Sequence, residues 1–126
     1  MKKHLFIFVA LVLLTTVAGA DEEASGKAIE LFTQVLSMDP GNVAAYISRG
    51  TAYTERGQLN MAIEDFTEAL RLDPDNAAAY LGRGNAYFYS EDLASAKSDI
   101  EAAFRLDPNN KHVEFLLDLL MFMKGR

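Results

Sequence analysis

YISRGTAY, residues 46–53, returns thirty-four residues later as YLGRGNAY, residues 80–87. Each copy sets an arginine beside a glycine within a run that is otherwise apolar and helix-like. Glycine costs a helix interior about 1 kcal/mol relative to alanine, and a charge is a poor neighbour for tyrosine and alanine unless it finds a partner. The same two local rules are therefore broken twice at one spacing. That spacing is the period of the chain: Asp39-Pro40, Asp73-Pro74 and Asp107-Pro108 recur at thirty-four and thirty-four. Aligning residues 43–76 with 77–110 gives 16 identities in 34 positions, so the unit is an internal repeat.

Within a repeat the apolar positions return at three and four, as Tyr46, Gly50, Tyr53 and then Leu59, Ala62, Phe66, Ala69, Leu70. That periodicity predicts two successive amphipathic helices, hence a helical hairpin. Asn42 and Asn76 stand where a side-chain oxygen can cap the first helix. Gly57 can take the left-handed conformation that closes it, and each Asp-Pro pair ends the second helix. Glu91 stands where Gly57 stands one repeat earlier; a left-handed turn there costs a non-glycine residue about 1–2 kcal/mol.

These residues carry a resemblance. The pattern Tyr46, Gly50, Tyr53, Ala62, Phe66, Ala69, Pro74, matched in the second copy by Tyr80, Gly84, Tyr87, Ala96, Ala103 and Pro108 with Ile100 in place of an aromatic, is similar to the tetratricopeptide (TPR) repeat. The resemblance implies an all-α fold of antiparallel helix-turn-helix repeats stacked as a short right-handed TPR solenoid of about six helices. In that register residues 24–40 form a half repeat, 43–76 and 77–110 two full repeats, and 111–126 a closing helix.

The first twenty residues read as a secretory signal peptide. MKKH is basic, LFIFVALVLLTTV is a thirteen-residue largely apolar run, and AGA precedes Asp21 as a cleavage site. The alternative, a retained membrane anchor, needs about 20 apolar residues, more than this run supplies. Cleavage after Ala20 leaves residues 21–126 as an exported chain, periplasmic or secreted, with no membrane association. Without a cysteine anywhere, such a chain has no disulfides and depends on core packing alone. Loss of Lys2 and Lys3 leaves ten basic residues against eighteen acidic ones, a balance that argues against nucleic acid and anionic lipid as partners.

The repeat also assigns the arginines. If Arg49 paired with the preceding repeat's aspartate position it would face Leu31, and Asp99 would face Leu117, leaving two charges bare. Pairing within each hairpin joins Arg49 to Asp65 and Arg83 to Asp99, and the charges then vanish wherever a hairpin is incomplete. We expect these four to be structural pairs. Gly50 and Gly84 are expected to lie opposite Ala62 and Ala96, small against small, so that the two helix axes approach closely.

Catalytic materials are sparse. Beyond residue 20, His112 is the one histidine, cysteine is absent, and no glycine-rich phosphate loop occurs. A multi-histidine metal site cannot be built in one chain, and a nucleophile-histidine pairing has His112 alone to draw on. The chain is expected to be no enzyme and to need no metal or cofactor. What remains is binding of a protein or peptide partner. The resemblance implies a concave groove lined by the first helices, here Ile47, Thr51, Glu55, Leu81, Asn85, Phe88, Tyr89, His112 and Phe115, suited to an extended peptide or partner helix. The family's carboxylate-gripping version uses lysine and asparagine early in the first helix, and of those positions only Asn85 matches. The alternative function is that of a self-assembling scaffold subunit, a homo-oligomer formed through Phe115–Met123, eight apolar residues of nine, and the incomplete N-terminal repeat.

Overall fold

The structure is a computed structural model that describes residues 21–125. The signal peptide expected at residues 1–20 lies outside the described residues, as does Arg126. Within them the chain forms helices only. α1 covers residues 21–38, followed by α2 (Val43–Glu55), α3 (Leu59–Leu72), α4 (Ala77–Tyr89), α5 (Leu93–Leu106) and α6 (Lys111–Lys124).

Local chemistry sets these boundaries. Asn42, Asn76 and Asn110 each hold extended backbone, and their side chains accept from Ala45 N, Ala79 N and, at Asn110, His112 N and Val113 N. Each cap satisfies N–H groups that a helix start leaves without an internal partner. Asp92 caps α5 by accepting from Ser95 N, and the side-chain and backbone hydrogen bonds of Ser95 hold its carboxyl below the ordinary aspartate range. α3 and α5 end at Leu72 and Leu106, one residue before the Asp-Pro pairs.

The two intra-hairpin turns have the same form. Gln58 N bonds Tyr53 O while Gly57 N bonds Thr54 O; Asp92 N bonds Tyr87 O while Glu91 N bonds Phe88 O. This is the Schellman arrangement, which needs a left-handed residue after the helix. Gly57 takes φ 73° and Glu91 takes φ 65°. The second repeat therefore keeps the glycine turn without the glycine.

The hairpins α2–α3 and α4–α5 pack most extensively, α3 joins α4 between them, and α6 covers α5 over a smaller contact. The core is continuous along this stack. Tyr53, Ala62, Phe66 and Ala86 form one cluster, with Ile29 of α1 against it; Ala69, Leu70 and Ala79 form a second; Ala96, Ile100, Ala103, Val113, Leu116 and Leu120 form a third, beneath α6.

The glycines correct one expectation. A Cβ at Gly50 would meet the Phe66 ring at 3.0–3.1 Å, and one at Gly84 would meet Ile100 Cδ1 at 2.6 Å. The glycines face large side chains, and the arrangement is cleft and wedge, not small against small. Gly82 completes it: a Cβ there would fall into the Phe66 ring from the other side. The ring, 1% exposed, is thus seated between α2 of its own repeat and α4 of the next. One period on, Ile100 takes the place of Phe66 and Leu116 that of Gly82, and both are buried in one cluster. A smaller wedge thus accompanies a larger wall, the direction in which a close-packed core compensates.

Candidate peptide-binding cleft

Arg49 and Arg83 occupy equivalent, largely enclosed positions. Arg49 Nε and Nη2 donate to Asp65 Oδ2 and Oδ1 at 2.8 and 2.7 Å. Arg83 Nε and Nη2 donate to Asp99 Oδ2 and Oδ1 at 2.7 and 2.8 Å. Both are bidentate forks, the geometry in which guanidinium and carboxylate match best. The aspartates are each 5% exposed. Each guanidinium also lies over two rings of its own helix, Tyr46 and Tyr53 for Arg49, Tyr80 and Tyr87 for Arg83, at 5.8–6.0 Å, a cation–π setting. The aspartate hydrogen bonds raise both arginine pKa values above their ordinary level. These cations are committed within the fold.

One member of the arrangement was missed from sequence. Arg49 Nη1 donates to Thr33 Oγ1 at 3.2 Å and Arg83 Nη1 to Thr67 Oγ1 at 3.3 Å. Each arginine thereby spans three helices, with a threonine sixteen residues back and an aspartate sixteen ahead. The signal was present in Thr33 and Thr67, one period apart, ending at Glu101.

With the arginines internal, a cleft of about 590 Å³ opens where α2 and α4 lie side by side. Thr51, Glu55, Asn85 and Tyr89 line it, and Thr54, Gly57, Leu59 and Gly82 complete the wall. Asn85 is half-buried, while Tyr89 is exposed. Glu55 also borders a neighbouring polar cleft with Asp21, Glu22, Ser25 and Arg56.

The remaining residues expected in the groove lie elsewhere. Ile47 is half-buried against the clusters of α3 and α4, and Leu81 against that of α5 and α6. Their branched side chains do more for the core than they would in water. Phe88 packs on the same cluster as Leu81 and, edge to face with Tyr89 at 6.0 Å, lines a second cleft with Glu91, Leu93 and Met123. His112 and Phe115 are exposed on α6 and border neither cleft. Gly82, absent from the expected groove, is part of the wall, its bare backbone lying against the Phe66 ring.

Among the described residues no group of three or more His, Cys, Asp or Glu side chains is placed to hold a metal ion, and no helix is long and apolar enough to cross a membrane.

Three family profiles match the chain: tetratricopeptide repeat over residues 31–64, TPR repeat over 50–89, and tetratricopeptide repeat over 77–110. No curated protein matches the sequence. Solved structures do. The second TPR domain of human RPAP3, solved with the HSP70 peptide SGPTIEEVD, is 30% identical with a TM-score of 0.74, over 79% of this chain and 83% of that one. The first TPR of Spaghetti (RPAP3), bound to the HSP90 peptide SRMEEVD, is 27% identical with a TM-score of 0.77, over 86% and 94%. The Sgt2 TPR domain from Aspergillus fumigatus is 28% identical with a TM-score of 0.78, over 87% and 76%. The thirty-four-residue hairpins, the three profiles and these likenesses lead to one conclusion: the chain belongs to the tetratricopeptide-repeat family.

Proposed function

We propose that this chain is an exported, non-enzymatic interaction module that holds an extended peptide segment of a partner in the α2–α4 cleft. The observation that carries the reading is convergence: Thr51 and Glu55 from one repeat meet Asn85 and Tyr89 from the next across a cleft of about 590 Å³, while Arg49 and Arg83 are used internally. An amide, hydroxyls and an aromatic ring along an open cleft match the way an extended backbone is gripped. Support also comes from RPAP3, whose TPR domains have been solved with bound peptides. Export rests on the basic start, apolar run and AGA site of residues 1–20.

A phage-displayed nonapeptide library tests the binding reading. Recovered peptides should bind the Asn85→Ala/Tyr89→Ala double variant at least about tenfold more weakly, a loss of about 1.4 kcal/mol, and bind His112→Ala as they bind the parent. Peptides indifferent to the double variant would place recognition elsewhere. N-terminal sequencing of the protein recovered from its producing cell should begin at Asp21.

A second reading, self-assembly, is favoured by α6, where Phe115 is 62% and Met121 65% exposed. Light scattering decides it, since a monomer whose mass is independent of concentration removes this reading.

A further inference from the structure

The cleft's hydrogen-bonding inventory is lopsided, and the lopsidedness names a class of ligand. Thr51 Oγ1 donates to Ile47 O and Thr54 Oγ1 to Gly50 O, both at 2.9 Å. A hydroxyl has one proton and two lone pairs, so both threonines have spent their donor and offer only acceptors. Glu55 is an acceptor twice over. Its Oε2 lies 2.8 Å from Ser25 Oγ, and no hydrogen bond involves its Oε1 among the described residues. Donors in the cleft reduce to the Asn85 amide and the Tyr89 hydroxyl.

No cation balances Glu55 from within this cleft. Arg49 and Arg83 are locked on Asp65 and Asp99. Arg56, at the neighbouring cleft, donates to Glu22 O at 2.9 Å and stands 3.9 Å from the Glu22 carboxylate. Asp21 and Glu22 line that neighbouring cleft with Arg56, where the α-ammonium of a chain cut before Asp21 also stands, so the charge facing the α2–α4 cleft is that of Glu55.

We propose that the cleft selects a basic extended segment, its lysine or arginine directed to Glu55 and its backbone N–H groups to the threonine oxygens, and that it rejects segments ending in carboxylates. An acidic segment would meet acceptors with acceptors and bring like charge to Glu55; a cationic donor satisfies both. The chain thus departs from RPAP3, whose TPR domains are solved with the acidic peptides SGPTIEEVD and SRMEEVD. The inference rests on the cleft being a peptide site.

A positional-scanning nonapeptide library separates the two. Each position is fixed in turn as Lys, Arg, Asp, Glu or a neutral residue, with free and amidated C-termini, and the pools are bound to the full chain. Lysine and arginine pools should be enriched about fivefold at one or more positions, the scale of one partly exposed ion pair. Acidic pools and free carboxyl termini should be depleted. Glu55→Gln, which keeps an acceptor for Ser25, should abolish the basic preference, and Glu55→Lys should invert it. Enrichment of acidic pools, or a basic preference unchanged in Glu55→Gln, overturns the inference. Enrichment of neutral pools that Tyr89→Ala removes would also overturn it, leaving the peptide site standing. No enrichment in any pool, or enrichment unmoved by both Tyr89→Ala and the Glu55 variants, overturns both.

Discussion

Replacing Arg83 and Asp99 by leucine, singly and together, measures the fastener that the repeat implies. Leucine is the natural choice because Leu117 and Leu31 stand at the corresponding positions where the repeat is incomplete. Arg83→Leu strands a carboxylate that is 5% exposed. Breaking a buried pair costs about 3–5 kcal/mol, and solvent at the arginine lowers this to about 3; the Arg83 side chain is 21% exposed. Asp99→Leu costs less, about 2 kcal/mol, because the arginine can turn its head to water. The double variant loses the Tyr80 and Tyr87 ring contacts and the Thr67 hydrogen bond but strands no charge, a cost of about 2 kcal/mol. The coupling is then about 3 kcal/mol, at the upper end of measured pairs. Urea unfolding followed by far-UV circular dichroism resolves it, since a domain of this size has about 5–15 kcal/mol to lose. A coupling below about 0.5 kcal/mol would show that the two residues contribute independently and that the fork is incidental.

Two further substitutions probe the packing and the turn. Gly82→Ala should destabilise by about 1–3 kcal/mol through overpacking, and Phe66→Leu in the same chain should recover part of the loss; additive costs in the pair would refute the wedge. Glu91→Gly should raise stability by about 1 kcal/mol, the left-handed strain released less the entropy glycine adds to the unfolded chain, and an unchanged or lower melting temperature would contradict that account.

Much of the architecture is legible along the chain because it is local. Asn42, Asn76, Asn110 and the Asp-Pro pairs act within a few residues of where they stand, so helix ends follow from sequence. The arginine forks were legible for a different reason: the incomplete ends supply an internal control, leucine standing in place of the aspartate at one end (Leu31) and of the arginine at the other (Leu117). The wedge was not. Phe66 rests on Gly82, which belongs to the next repeat and matches Ser48 in the previous one, so no identity between copies marks it. Ile47 and Leu81 show the same limit at the cleft. Both lie on first helices near the expected groove, yet a small rotation about the helix axis turns an aliphatic side chain onto a neighbouring helix, and periodicity does not resolve that angle. Thr51 and Glu55 on α2, and Asn85 and Tyr89 on α4, each stand four residues apart on one helix face, which is why they arrive together.

The arginine stitches also decide how the molecule comes apart. Arg49 ties α2 to α1 and α3, and Arg83 ties α4 to α3 and α5. In a linear array, stability is the sum of each unit's own folding energy and the coupling between neighbours, and these side chains reside in the coupling. They link α1 through α5 in one chain of neighbours. α6 carries Leu117 where the arginine would be, so the α5–α6 boundary has no such stitch. We expect thermal opening to begin at that boundary, with amide exchange faster in Lys111–Lys124 than in α2–α5; equal or slower exchange in α6 would refute it.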